Sequence, residues 1–288
     1  MDCYPDILEA AALIKRGGLL ARVGRALNRG LYRHLDHVVC LDEAMKDVLL
    51  SQYAPSSGEL PMTIIPNWER SSLFPLEDEL QPGAGLAKLG LDDQFIVLYL
   101  GNAGFGHRFD TVIEVAEALR DEPVTFLFVG GGSQYPWLEQ ARHERGLKNL
   151  RLHGYVPKNQ LRSLLPSAHL AVITLSDEAL GLMSPSKLHS YLAMKLPVIY
   201  IGPAGSNVDR AIQTYGCGVC IRHHQAEAMA GFVREMMSQP ERLAKLRLRA
   251  RKAFEEAYCD LVTLPQFDRV IDSLVVEQPD IALARNTP

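Results

Sequence analysis

A chain of 288 residues, 47% hydrophobic and 22% charged, carries enough apolar surface for an ordinary packed core, which excludes disordered and fibrous classes. Thirty Lys and Arg against 34 Asp and Glu leave a formal charge of -4, too little positive field for a general nucleic-acid backbone binder. Five cysteines (Cys3, Cys40, Cys217, Cys220, Cys259) are an odd number in a chain too long to need staples, so a reduced, cytoplasmic protein is expected. The start, MDCYPDILEA, carries acids where a secretory leader carries basic residues, and no apolar run reaches the roughly 18 residues of a membrane span.

Residues 1–75 predict a helix between Leu19 and Leu35, a strand His37–Leu41, a helix beginning near Asp42 and a strand Met62–Ile65 that ends at Pro66. The first helix puts Leu20, Val23, Leu27 and Leu31 on one face and Arg22, Arg25, Arg29 and Arg33 on the opposite one, with no acid between Glu9 and Asp36. Two readings stay open for it: a solvated basic face over a core stripe, and peripheral contact with anionic lipid at the inner face of the membrane. Two short strands cannot bury both faces of their own sheet, so residues 1–75 read as the remnant of a domain with an uncovered edge or face that invites self-association. Residues 76–93, rich in Pro, Gly and acids, read as a linker.

Residues 94–258 alternate short apolar runs with segments of helical period. The runs are Phe95–Leu100, Val124–Val129, Leu150–His153, Leu170–Leu175, Pro197–Ile201 and Gly218–Ile221, and continuous apolar strands separated by helices specify a parallel sheet covered on both faces. The helix Phe109–Arg120 shows the pattern, with Val112, Val115, Ala116 and Leu119 on one stripe. The expected class is α/β, with one complete Rossmann-like doubly wound domain and a partial N-terminal one. Long helical patterns follow at Pro240–Tyr258 and Leu261–Val275, and residues 277–288 read as a tail.

Three glycine clusters fall directly after predicted strands, where open parallel sheets bind ligands. Gly101-Asn102-Ala-Gly104-Phe-Gly106 opens onto a helix and could present backbone N–H groups to a diphosphate, with His107 and Arg108 beside it as sources of charge. A tight turn that binds nothing explains this cluster equally well. Gly130-Gly131-Gly132 lacks side chains that would keep a sugar or phosphate from the backbone, the alternative being a flexible loop. In Gly181-Leu-Met-Ser-Pro-Ser186-Lys187, Ser186 and Lys187 offer a hydroxyl and an ammonium to a phosphate at a helix start, and a lysine in the first turn opposes the helix dipole, which disfavours a purely structural role for Lys187. Cys217, Cys220, His223 and His224 have the look of a zinc set, but residues 218–221 read as a buried strand and no second CxxC exists, so no metal is expected.

Several motifs in fixed order carry a resemblance. They are Asp2-x-Tyr4-Pro5-Asp6, Ile65-Pro66-Asn67-Trp68, Gly101 through Thr111, Val129-Gly-Gly-Gly-Ser133 with Pro136-Trp137-Leu138, His153-Gly-Tyr155-Val156-Pro157, Pro185-Ser-Lys187 through Tyr191, and Tyr215-Gly-Cys-Gly218. From Asp2 to Leu274 the chain resembles the bacterial family 4 glycosyltransferases of GT-B fold, in the branch that builds cell-surface polysaccharides.

The resemblance implies a retaining transfer of hexose or N-acetylhexosamine from a nucleotide-sugar, UDP-linked, to a lipid-linked or saccharide acceptor, without metal or other cofactor. It places the diphosphate near Gly104, His107 and Lys187 and the base against the backbone around Tyr155 and Val156. It also implies that residues 259–276 form a helix returning to the N-terminal part. Family members carry a complete N-terminal acceptor domain, so the partners implied here include a complementing N-terminal half or a second copy. The family's paired glutamates would fall near Leu182 and Ser190, neither of them acidic, which weakens the ribose contact; Phe105 stands where this branch often has arginine. The competing reading is a non-catalytic nucleotide-sugar-binding module.

Overall fold

The computed structural model describes residues 3–54, 60–74, 91, 93–157, 165 and 167–276, so Asp2, the tail and nearly all of the expected linker lie outside the described residues. The N-terminal part forms α1 (Asp6–Ala10), α2 (Leu19–Tyr32), β1 (Val38–Cys40), α3 (Glu43–Tyr53) and β2 (Met62–Ile64). Asp42 starts α3 by accepting the Met45 N–H at 2.8 Å, satisfying one of the unpaired donors of a helix start. β1 and β2 pair in parallel, Val38 opposite Met62, over a small cluster of Cys40, Met45, Leu49 and Tyr53. Of the six strand residues only Cys40 is buried; the others are half-covered.

The apolar side of α2 does not cover a core, and the expectation of a core stripe under a solvated arginine face is corrected. Leu19, Leu20, Val23, Leu27 and Leu31 are exposed, while Ala21 is buried and Tyr32 stacks on Tyr53 at 5.3 Å. The cause is Arg25, which turns inward to Asp6 (2.7 Å) and Glu9; both carboxylates are buried, and Tyr53 donates its hydroxyl to Asp6. An ion pair of this kind fixes which side of the helix faces in, because leaving either carboxylate unpaired is costly.

From Phe95 the chain builds β3 (Phe95–Asn102), α4 (Asp110–Ala118), β4 (Val124–Gly131), α5 (Tyr135–Glu144), β5 (Leu150–His153) and β6 (Leu170–Thr174). It continues with α6 (Lys187–Ala193), β7 (Val198–Ile201), α7 (Asn207–Tyr215), β8 (Gly218–Ile221), α8 (Ala226–Ser238) and α9 (Pro240–Ala253). The six strands are all parallel in the order β5-β4-β3-β6-β7-β8, the doubly wound arrangement. Period-two alternation sends Val97, Tyr99, Phe126, Phe128 and Val172 to one face under α4, α5 and α8, and Ile96, Leu98, Leu127, Ile173 and Tyr200 to the other under α6 and α7.

The expected helix Pro240–Tyr258 is not uniform: α9 passes into a π-helical turn, Phe254–Tyr258, before α10 (Asp260–Val276). α10 lies against residues 68–71. Its Asp260 accepts the Ser71 N–H at 2.9 Å and donates its own N–H to Glu69 O, and Phe267 meets Trp68 edge-on at 5.4 Å.

Candidate functional site

β3 and β6 are neighbours at the point where the strand order reverses, and the loops leaving their C-terminal ends meet there. Pairing runs on into the glycines, with Gly101 opposite Gly130 and Asn102 opposite Gly131. Gly101 has φ +121° and Gly130 φ +143°, conformations that side-chain-bearing residues rarely adopt. Space imposes the same requirement: a Cβ on Gly101 would stand 2.7 Å from Lys187 Cε, and one on Gly132 2.5 Å from Asn102 Oδ1. A Cβ on Gly131 would stand 2.8 Å from the Tyr155 ring. Ala103 N–H donates to Gly131 O at 2.6 Å, tying the two loops together.

Lys187 opens α6, a helix of only seven residues, so its charge matters more than any helix dipole. Its Nζ lies 5.2 Å from the centre of the Tyr99 ring, and among the described residues no carboxylate pairs with it. Burial alone lowers its pKa to about 8, as expected for an ammonium removed from water without a counter-charge. The N–H groups of Gly104, Phe105 and Gly106 likewise have no acceptor among the described residues. The arrangement is a glycine-lined backbone cradle beside an uncompensated cation, which is the chemistry of an anion site.

His107 is buried, and burial together with the Lys187 charge lowers its pKa to about 4. It is therefore neutral at pH 7, which corrects its reading as a source of positive charge. Its Nδ1 donates to Thr174 O at 2.8 Å, leaving Nε2 as an acceptor, better suited to a sugar hydroxyl than to a phosphate oxygen. Arg108 is paired with Asp110 at 3.4 Å on the surface.

Gly101, Asn102, Gly104, His107, the three glycines 130–132, Tyr155 and Lys187 thus form one connected site. Val156 is half-buried against the core. Ser186 is exposed and gives its carbonyl to His189, and Ser190 spends its hydroxyl on Lys187 O at 3.1 Å. Cys217 and Cys220 give their thiols to backbone carbonyls of Ala211 and Asp209, and His223 bonds Leu175 O at 3.0 Å. Burial raises the thiol pKa values to about 11 and about 12, so both stay protonated.

Three supporting residues escape sequence reasoning. Tyr99 underlies the ammonium, Thr174 orients His107, and the Tyr191 hydroxyl accepts the Leu100 N–H at 2.9 Å where β3 enters the glycine loop. Tyr99 and Thr174 look in sequence like ordinary strand residues; only Tyr191 belongs to a motif. A cavity of about 710 Å³ lies beside the edge strand β8, lined by Gly216, Gly218 and the start of α9, and includes none of the loop residues above.

Residues 86–253, more than half of the chain, match the family of glycosyl transferases group 1. The chain is 26% identical over 243 residues to an Escherichia coli (strain K12) protein assigned to colanic acid biosynthesis as glycosyl transferase WcaI, covering 84% of this chain and 59% of that protein. It is also 26% identical over 246 residues to glycogen synthase of Mycobacterium tuberculosis, covering 84% of this chain and 55% of the relative. The chain thus spans between half and two thirds of the length of these relatives. Its fold superposes on the crystal structure of Anabaena Alr3699/HepE in complex with UDP-glucose with a TM-score of 0.72 at 13% identity, covering 91% of this chain and 70% of that one. On the crystal structure of TarM the TM-score is 0.67 at 21% identity, covering 85% and 45%. These likenesses show a shared α/β fold of GT-B type. The chain belongs to the glycosyl transferases group 1 family.

Proposed function

We propose that this chain binds a UDP-sugar through its residues 94–258 and serves a retaining glycosyltransferase of family 4 in polysaccharide biosynthesis, with a lipid-linked or saccharide acceptor. The observation that carries this reading is the half-buried Lys187 ammonium, without a carboxylate partner among the described residues and set against Gly101, itself packed on Gly130, at the switch point of the sheet. Lys187 and the N–H groups of residues 104–106 meet the donor's diphosphate and stabilise the charge that builds on it as the sugar leaves. His107 Nε2 accepts a hydroxyl of the sugar. The Tyr155 ring, resting on Gly131, borders the base. The relatives' polysaccharide names and the UDP-glucose bound to the Anabaena protein support the donor class.

A second reading is binding without transfer. It is favoured by Ser190, which stands near a position where the family has a glutamate and whose hydroxyl is spent within α6. Incubating the chain with UDP-glucose and UDP-N-acetylglucosamine, with lipid-linked and saccharide acceptors, separates the two. Acceptor-dependent release of UDP that a Lys187→Met variant loses supports the transferase. Saturable UDP binding without release supports the binding module, and neither binding nor release contradicts both.

A further inference from the structure

We propose that the cavity of about 710 Å³ beside β8 is a second ligand site, built for the phosphate monoester of a small organic molecule. Its volume falls in the range of about 300 to 1,000 Å³ that small-molecule sites occupy. Phe232 of α8 and Leu246 of α9 line it at 9% and 7% exposure, which gives it an apolar floor. Arg242, Lys245 and Arg249 line it as well, all on α9 and all exposed, so its mouth is cationic and reachable from solvent. Lys245 and Arg249 are four residues apart and share one face of the helix, close enough to meet a single anion.

The other cations of this face are spent, and these two are not. Arg242 pairs with Glu235, and beyond the cavity Arg251 and Lys252 pair with Glu255 at 2.6 Å and Glu256 at 3.7 Å. Glu241 lines the cavity and is the one acid between Pro240 and Phe254, but it lies outside ion-pair distance of Lys245 and Arg249. Neither cation has a carboxylate partner among the described residues, on a chain whose formal charge is -4. Arg249 reaches over Gly216, where a Cβ would stand 3.0 Å from its Nη1, so the glycine that ends α7 at φ +59° also leaves room for the guanidinium at the rim. Two free cations above an apolar floor fit a dianion carried on a carbon frame: the phosphate oxygens meet Lys245 and Arg249, and the frame rests on Phe232 and Leu246. A carboxylate, with one charge, leaves one of the two cations unmatched.

The test is a calorimetric titration of the full chain with phenyl phosphate, inorganic phosphate and benzoate, with UDP present throughout to occupy the Lys187 site. The expected result is saturable binding of phenyl phosphate, with inorganic phosphate and benzoate each weaker by about tenfold or more. Lys245→Gln and Arg249→Gln should each weaken phenyl phosphate by about tenfold, and their exposed positions predict an unchanged circular dichroism spectrum. Phenyl phosphate should bind Lys187→Met, without UDP, as tightly as it binds the wild type, so the cavity is read out whether or not the chain takes UDP. Absence of phenyl phosphate binding, equal binding of benzoate or inorganic phosphate, or binding unaffected by Lys245→Gln and Arg249→Gln would overturn the proposal. So would phenyl phosphate binding that UDP abolishes and Lys187→Met loses, which would move it to the glycine loops.

Discussion

The Nζ of Lys187 stands 5.2 Å from the centre of the Tyr99 ring, with its methylene chain packed against Gly101. A cation–π contact contributes about 1 to 2 kcal/mol, less than an ammonium loses on burial, and the pKa of about 8 records the difference. A diphosphate supplies the missing charge and raises that pKa. UDP affinity should therefore be full below pH 8 and fall as the pH passes 8, by up to about tenfold per unit, because binding then takes up a proton. Titrations at pH 7, 8.5 and 9.5 check this, and an affinity indifferent to pH in that range contradicts it.

The same shift has a stability signature. The folded pKa lies below the unfolded value of 10.5, so the unfolded chain holds the extra proton between pH 8 and 10.5 and the Lys187 contribution to stability rises with pH across that window. Comparing urea midpoints of wild type and Lys187→Met isolates it. The variant should be the more stable at pH 7, with the gap closing by pH 10.

Gly101→Ala introduces a Cβ at φ +121° and 2.7 Å from Lys187 Cε. It should cost about 1 to 3 kcal/mol in stability and lower UDP affinity at least tenfold by displacing the ammonium. Gly146→Ala, at φ +61° with open space around it, separates the two effects: stability falls by about 1 kcal/mol while UDP affinity holds. Equal loss of affinity in both variants would place Lys187 outside the site.

Three histidines, His107, His169 and His189, are held neutral by burial with pKa values of about 4. In the unfolded chain they protonate near pH 6.5, so the stability they contribute is present above pH 6.5 and is lost as the pH falls toward 4. Proton uptake on unfolding at pH 5 should approach about three, each worth up to about 1.4 kcal/mol per pH unit. Identical unfolding midpoints at pH 7 and pH 5 would show that these imidazoles are not buried neutral.

Arg25→Ala leaves Asp6 and Glu9 facing each other without a cation. With the guanidinium partly exposed, a loss of about 2 to 3 kcal/mol is expected, seen as faster amide exchange in α1, α2 and α3. UDP affinity should not change, since none of these groups touches the glycine loops.

The sheet was legible because its six apolar runs are continuous and separated by helical periods; pairing carried β3 and β4 two residues further, into Gly101–Asn102 and Gly130–Gly131, while the strands expected at Leu170–Leu175 and Pro197–Ile201 are each one residue shorter. The orientation of α2 was not legible. Periodicity tells which residues share a face, whereas the direction of that face was decided by Asp6 and Glu9, 19 and 16 residues before Arg25. Position in the sequence put the glycine clusters at strand ends and Lys187 at a helix start; the structure adds that they come together and that Gly101 and Gly130 take φ values that side-chain-bearing residues rarely adopt. The neutral state of His107 could not, since it depends on how deeply the fold buries the ring beside Lys187. Tyr155 and Val156 were placed through resemblance, and the ring of Tyr155 over Gly131 is a contact that no spacing rule supplies.

The most direct measurement is a calorimetric titration of the chain with UDP at pH 7, with GDP as control and Lys187→Met in parallel. The expected result is saturable UDP binding, weaker for GDP and reduced at least a hundredfold in a variant that remains folded. UDP binding unchanged by Lys187→Met, or no binding by the wild type, would contradict the assignment of the glycine loops and Lys187 as a nucleotide-sugar site.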